Sequence, residues 1–138
     1  MRSLASIFAV FILAVFSASI APAGAHGRLA PADEYFGRLQ MSILGIANTI
    51  KDAGLKLDNG GDVESAFNGP LSFAADAIHA WERKYPEDPW IAKNLLKLEQ
   101  VYLRVQNERG RELARQTEAW LLHDYPNSPA AAVAQRSH

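Results

Sequence analysis

Two side chains of a kind that binds metal ions stand three residues apart near the middle of the chain. Asp76 and His79 form an Asp-x-x-His pair, and Glu82 follows three residues later, so all three would share one face of a helix. A di-iron bundle needs carboxylates from four helices and two Glu-x-x-His pairs. This chain has a single comparable pair, with Asp in place of Glu. We therefore predict a solvated polar face here and not a metal site.

Two other patterns suggest metal binding, and both are incomplete. The run Asp58-Asn59-Gly60-Gly61-Asp62 offers oxygen ligands, but Gly69 stands where an EF-hand requires its last glutamate. An N-terminal histidine can chelate copper together with a second histidine, and His26 would become N-terminal after a cut behind Ala25. Neither pattern reaches the required ligand set. We predict no metal ligands and no cofactor.

Patterns typical of enzymes are also missing from the sequence. It contains no P-loop, no glycine fingerprint for dinucleotides and no recognisable serine–histidine arrangement. There is no cysteine to act as a nucleophile or metal ligand. We therefore predict that the protein is not an enzyme and has no catalytic residues.

The N-terminus indicates export. Arg2 is followed by an uncharged apolar run over residues 4–18, and Ala23 and Ala25 are small residues suited to a cleavage site. The apolar run is shorter than the about 20 residues that span a bilayer. We predict a signal peptide over residues 1–25, with cleavage after Ala25 or Ala23, and a flexible segment over 26–31. The mature protein would be soluble in the periplasm or secreted, touching the membrane only through its signal peptide.

Charge and composition narrow the class of partner. The chain has 14 basic and 15 acidic residues, and removing Arg2 leaves 13 basic residues. A domain without basic excess lacks the charge that tracks phosphates, so nucleic acid is not expected as a partner. Without cysteine there is no disulfide and no cysteine-linked lipid, and an apolar core must hold the domain together.

Apolar residues recur at steps of three and four, which predicts an all-α protein. The predicted helices form a single domain over 32–136 and cover about 32–53, 70–84, 89–106, 110–123 and 129–136. A helix corner appears twice, 40 residues apart, as Tyr85-Pro86-Glu87-Asp88-Pro89-Trp90 and Tyr125-Pro126-Asn127-Ser128-Pro129-Ala130. In each copy the first proline stops one helix, Asp88 or Ser128 caps the next, and the second proline starts it. Trp81 and Trp120 precede the two copies.

The first predicted helix has a second face beside its apolar one. Gly37, Met41, Gly45 and Asn48 follow each other at about four-residue steps. Glycine inside a helix costs about 1 kcal/mol relative to alanine, so two glycines call for an explanation. Either another helix of the same domain packs closely there, or the face is a docking seam for a partner or a second copy.

The corners carry a family resemblance. Asp88-Pro89-Trp90-Ile91-Ala92, Leu98, Tyr102, Ala114 and the run from Tyr125 to Ala130 resemble tetratricopeptide-like hairpins over residues 74–134. They look most like the periplasmic subset, which includes outer-membrane assembly lipoproteins and the accessory protein of the Tol–Pal system. The resemblance implies a small right-handed stack of helical hairpins with an N-terminal capping helix, and a role in binding proteins.

The sequence thus favours a non-catalytic exported protein that binds a protein or peptide in the cell envelope. Trp90, which the second copy replaces with Ala130, is the corner residue that helix stopping, capping and starting do not explain, and tryptophan is favoured at binding surfaces. The predicted partner-binding residues are Trp90, Lys93, Lys97, Gly37, Met41 and Gly45. The alternatives are a small-molecule or metal-binding helical bundle, an enzyme with an unrecognised site, and a structural protein that self-associates.

Overall fold

A computed structural model describes residues 28–137, and this part of the chain is mostly helical, as predicted. Two short strands come first, β1 (Tyr35–Phe36) and β2 (Met41–Ser42). The helices that follow are α1 (Ile43–Asp58), α2 (Val63–Asn68), α3 (Pro70–Lys84), α4 (Pro89–Arg104), α5 (Glu108–Asp124) and α6 (Pro129–Arg136). The predicted signal peptide, with Ala23, Ala25 and His26, lies outside the described residues. Within 28–137 no helix is long and apolar enough to cross a membrane.

Each helix packs against several others, and two pairs of helices run in the same direction. α1 packs against α3 and α4, and α4 packs against α5 and α6. Gly54 and Asp58 at the end of α1 meet Val101 and Arg104 at the end of α4, so these two helices run side by side in one direction. Glu82, near the end of α3, binds Trp120 near the end of α5, so α3 and α5 also run in one direction.

The core lies between these helices. Trp81 is its largest fully buried side chain, and α1, α3, α4 and α5 contribute fully buried aliphatic side chains. The buried aliphatic residues include Ile46, Ile50, Leu71, Ile78, Ile91, Leu95, Leu98 and Leu121. The helical spacing of apolar residues predicts Leu39 on the buried face of the first helix, and this is wrong because 54% of Leu39 is exposed.

Both helix corners form as the sequence predicts. The Tyr85 and Tyr125 amides close the preceding helices by donating to the Trp81 and Leu121 carbonyls, at 2.8 and 2.9 Å. The position equivalent to Trp81 is therefore Leu121, and Trp120 precedes it by one residue. One residue is about 100° around a helix, so Trp120 faces a different side and is only partly buried.

The first helix begins later than predicted. The expectation of a helix from about residue 32 is wrong, because residues 35–42 form an antiparallel hairpin in which Phe36 pairs with Met41. Gly37 and Gln40 have positive φ angles of 72° and 51°, which a right-handed helix does not accommodate. Ser42 then caps α1 by accepting a hydrogen bond from the Gly45 amide at 3.0 Å.

The same helix also ends later than predicted. Gly54 does not terminate it, because α1 continues to Asp58 and its C-terminal cap is Asn59. Gly54 is buried, and a Cβ added there would lie 3.1 Å from Val101 Cγ2. Its role is to let α4 approach closely. The ends of α3 to α6 lie within two residues of their predicted positions, and α2 is a short helix in addition to the five predicted ones.

Candidate partner-binding site

The first corner is tied together by one buried carboxylate. Asp88 is fully buried and accepts three hydrogen bonds, one of which is the helix cap from the Trp90 amide at 3.0 Å. The Trp81 indole donates to it at 3.1 Å and the Ala30 amide at 2.9 Å. Asp88 therefore holds the end of α3, the start of α4 and the N-terminal segment together.

The N-terminal segment covers this corner. Glu34 accepts hydrogen bonds from Lys84 and from the Tyr85 hydroxyl. Phe36 stacks on Trp81 with ring centroids 5.9 Å apart and meets the edge of Tyr85 at 6.2 Å. Contacts of the chain itself thus occupy most polar and aromatic groups of the first corner.

The side chain of Trp90 lies outside that network. Only its amide binds Asp88, and 49% of the residue is exposed. The Lys93 ammonium lies 4.0 Å from the centroid of the Trp90 ring, a cation–π contact on the surface of α4. Lys97 follows on the same side, since seven residues make almost two full helical turns.

Lys97 belongs to a groove between the parallel helices α1 and α4. The groove has a volume of about 340 Å³. Its α1 wall consists of Leu44, Ala47, Asn48, Ile50, Lys51 and Leu55, and its α4 wall of Lys97, Gln100, Val101 and Arg104. We call these ten residues the α1–α4 groove.

The groove combines apolar walls with a basic rim. Leu44 is 68% exposed and Leu55 49% exposed, whereas Ile50 and Val101 are buried in the floor. Three of the ten side chains are basic, and none of the described lining residues is acidic. Arg104 pairs with Asp58 at 2.9 Å outside the lining. This surface can take up an apolar group and attract negative charge beside it.

The glycine and methionine residues predicted for partner binding do not share a helix face. Gly37 lies in the turn of the hairpin, Met41 in β2 and only Gly45 in α1, so the predicted helical seam is wrong. A Cβ on Gly37 would lie 2.8 Å from the Ala77 Cα atom. Gly37 is thus a close contact with α3 inside the domain, and Met41 packs against the core.

The polar face of α3 is divided among different partners. The Asp76 carboxylate accepts from the Arg38 amide at 2.9 Å. His79 stacks on Trp120 with centroids 3.7 Å apart, and burial lowers the pKa of His79. Glu82 accepts from the Trp120 indole at 3.0 Å. The three side chains therefore do not converge on one point.

The acidic run after α1 is likewise used within the domain. Asp58 binds Arg104, Asp62 caps α2 by accepting from the Ser65 amide at 2.7 Å, and Glu64 binds Arg109. Within residues 28–137, no group of three or more acidic or histidine side chains is placed to hold a metal ion.

Leu44, Lys51 and Leu55 are among the groove residues that the sequence does not predict as partner-binding. They recur at seven and four residues, so they share one side of α1. Leu44 and Leu55 lie off the buried face of α1, and apolar residues in such positions are a sequence signal for a binding surface. It was obscured because the predicted helix began eleven residues too early, which spread the apolar pattern over the hairpin.

Comparison of the chain with models of known protein families, with curated proteins and with solved structures finds no match. The tetratricopeptide-like resemblance of residues 74–134 therefore stays a prediction.

Proposed function

We propose that the protein is a non-catalytic, exported binding domain that holds a segment of another protein in the α1–α4 groove. The observation that carries the proposal is the exposure of Leu44, at 68%, on the wall of a groove with an apolar floor. Burying a leucine contributes about 1.5–3 kcal/mol, so an occupant that covers Leu44 and Leu55 gains substantial affinity.

The order of the helices supports a small right-handed, tetratricopeptide-like stack with α1 at its N-terminal end. α1 and α4 run in one direction, α3 and α5 also run in one direction, and the corner motif joins α3 to α4 and α5 to α6. Stacks of helical hairpins expose one series of equivalent helices, and segments of partner proteins bind on such surfaces. Fold alone does not define a function, so the groove and not the stack carries the proposal.

Trp90 and Lys93 extend the same surface toward the start of α4. A half-exposed tryptophan with a lysine over its ring adds contact area and charge beside the groove. The expected signal peptide places this surface in the periplasm or outside the cell, and we expect a protein of the cell envelope as the partner.

Affinity capture from a cell-envelope fraction tests the proposal. We expect the wild-type protein to retain a specific protein and Trp90→Ala to retain about tenfold less of it, because a tryptophan at an interface commonly contributes about 2 kcal/mol or more. Circular dichroism and urea unfolding should show that Trp90→Ala remains folded, since its side chain lies outside the core.

The matched control is Arg111→Ala, an exposed residue of α5 that does not line the groove. It should retain the partner at the wild-type level. Equal retention by wild type, Trp90→Ala and Arg111→Ala would contradict a binding role for this surface.

A further inference from the structure

We infer that the occupant of the α1–α4 groove is an amphipathic helix with acidic residues flanking its apolar face. This inference rests on the proposed function and specifies the chemistry of the partner segment. It follows from the charge of the rim, from the shape of the groove and from the scarcity of backbone-binding groups in its walls.

The charge of the rim selects an acidic partner. Lys51 stands on the α1 wall and Lys97 on the α4 wall, Arg104 is paired with Asp58, and no described lining residue is acidic. The chain as a whole is nearly balanced, with a formal net charge of −1, so the basic rim is a local feature. A segment with carboxylates on both sides would meet a basic side chain on each wall.

The shape of the groove suits a helix. Leu44 and Leu55 mark its two ends, eleven residues apart on α1, which is about 16 Å or three helical turns. A helix with apolar residues at i, i+3 or i+4, and i+7 would present one apolar stripe over that length.

The scarcity of amide groups disfavours an extended peptide. Such a peptide brings unpaired N–H groups, and the only lining side chains that can accept from them are the Asn48 and Gln100 amides. A helix satisfies its own backbone groups and needs only side-chain contacts.

Two other occupants fit less well. A second copy of the chain docked symmetrically would bring the Lys51, Lys97 and Arg104 rim against its own image, and like charges at an interface are unfavourable. A bilayer surface would attract the basic rim, but it does not enter a recess whose apolar floor, Ile50 and Val101, is buried between two helices.

A charge-exchange experiment tests the inference. Two synthetic helical peptides of about 14 residues carry the same leucine stripe, flanked by glutamate in one and by lysine in the other. Fluorescence anisotropy is measured with the wild-type protein and with the double variant Lys51→Glu/Lys97→Glu. The acidic peptide should bind the wild type and lose about tenfold or more in affinity with the variant, while the lysine peptide should gain by a similar factor.

The matched control reverses two charges elsewhere. Arg83→Glu/Arg111→Glu changes exposed residues of α3 and α5 by the same net charge and should bind the acidic peptide as the wild type does. Equal binding of both peptides, or an equal loss in both double variants, would overturn the inference.

Vesicles of equal parts phosphatidylcholine and phosphatidylglycerol complete the design. Binding to these vesicles that depends on Lys51 and Lys97, without binding of either peptide, would overturn the inference in favour of a membrane surface. If capture of an envelope protein depends on Trp90 but neither peptide nor vesicle binds, the acidic helix is wrong and the proposed function stands.

Discussion

Asp88 and Ser128 occupy the same position in the two corners, but their side chains accept hydrogen bonds from different numbers of groups. Both cap a helix, Asp88 through the Trp90 amide and Ser128 through the Ala131 amide at 3.1 Å. Asp88 also accepts from two groups outside the cap, Trp81 and Ala30. Asp88 and Ser128 thus share the role of helix cap, and Asp88 alone also ties its corner to Trp81 and Ala30.

Replacing Asp88 by alanine should therefore destabilise the protein far more than replacing Ser128. Asp88→Ala leaves the buried Trp81 indole and Ala30 amide without an acceptor, and we expect a loss of about 3–5 kcal/mol in the free energy of unfolding. Ser128→Ala removes a cap and should cost about 1 kcal/mol. Urea unfolding of both variants gives the comparison, and equal losses would show that Asp88 is no more than a cap.

The fold raises the pKa of the Glu82 carboxylate. Burial is the main cause that raises its pKa, and the charge of Asp124 adds to the effect. The Tyr125 hydroxyl and the Trp120 indole favour the charged form and oppose this rise in part. Ionising Glu82 is thus harder in the folded protein than in the unfolded chain.

The stability of the wild type relative to Glu82→Gln should fall as the pH rises. A group with a raised pKa contributes stability below its ordinary value, 4.5 for glutamate, and loses it as pH rises through the folded-state pKa. The glutamine side chain of the variant does not titrate and can still accept from Trp120. Urea unfolding at a series of pH values measures the difference between the two proteins.

Glu112→Gln is the control with the opposite sign. Hydrogen bonds from Arg115 and Gln116 lower the pKa of the exposed Glu112, so the wild type should lose stability relative to this variant as the pH falls. If the two differences change with pH in the same direction, the account of Glu82 is wrong.

At the scale of the element, the corners were predictable from the sequence and the hairpin was not. Proline, aspartate and serine at fixed offsets act through local sterics and capping, so a pattern of six residues determines each corner. The β1–β2 hairpin depends on Gly37 meeting Ala77, 40 residues away in α3. A contact between residues so far apart in the sequence cannot be predicted from a local pattern. The spacing of apolar residues over 35–42 also fits a helix, so it does not indicate the hairpin.

The groove escaped sequence analysis for a related reason. The sequence predicts three partner-binding residues on α4, namely Trp90, Lys93 and Lys97, and of these Lys97 does line the groove. Its opposite wall belongs to α1, which approaches α4 closely where Gly54 meets Val101. Residues on two helices become one site only through that packing.

Gly37→Ala tests how firmly the hairpin is held against α3. The added Cβ would meet backbone atoms of Ala77 at 2.8 Å, and the left-handed φ of 72° adds strain. We expect a loss of about 2–4 kcal/mol in the free energy of unfolding. Gly60→Ala is the matched control, because Gly60 has a φ of 80° but nothing within 4 Å, and strain alone should cost about 1 kcal/mol. Equal losses in the two variants would mean that the structure around Gly37 and Ala77 makes room for the added Cβ without a loss of stability.

At the scale of the whole molecule, the surfaces used for internal cohesion and the surface left for a partner are separate. The N-terminal segment closes the first corner through Ala30, Glu34 and Phe36. α3 and α5 are joined by Glu82 and Trp120. The α1–α4 groove keeps exposed leucines and a basic rim, which for the most part the domain does not use to hold itself together.

The affinity of the captured envelope protein for Leu44→Ser tests the central claim most directly. Leu44 and Leu39 are both exposed leucines, at 68% and 54%, but only Leu44 lines the groove. By isothermal titration, Leu44→Ser should weaken binding about tenfold or more, because it removes an apolar contact from the groove wall. Leu39→Ser should bind as the wild type does. Equal affinities for all three proteins, or equal losses in both variants, would contradict the claim that the α1–α4 groove holds the partner.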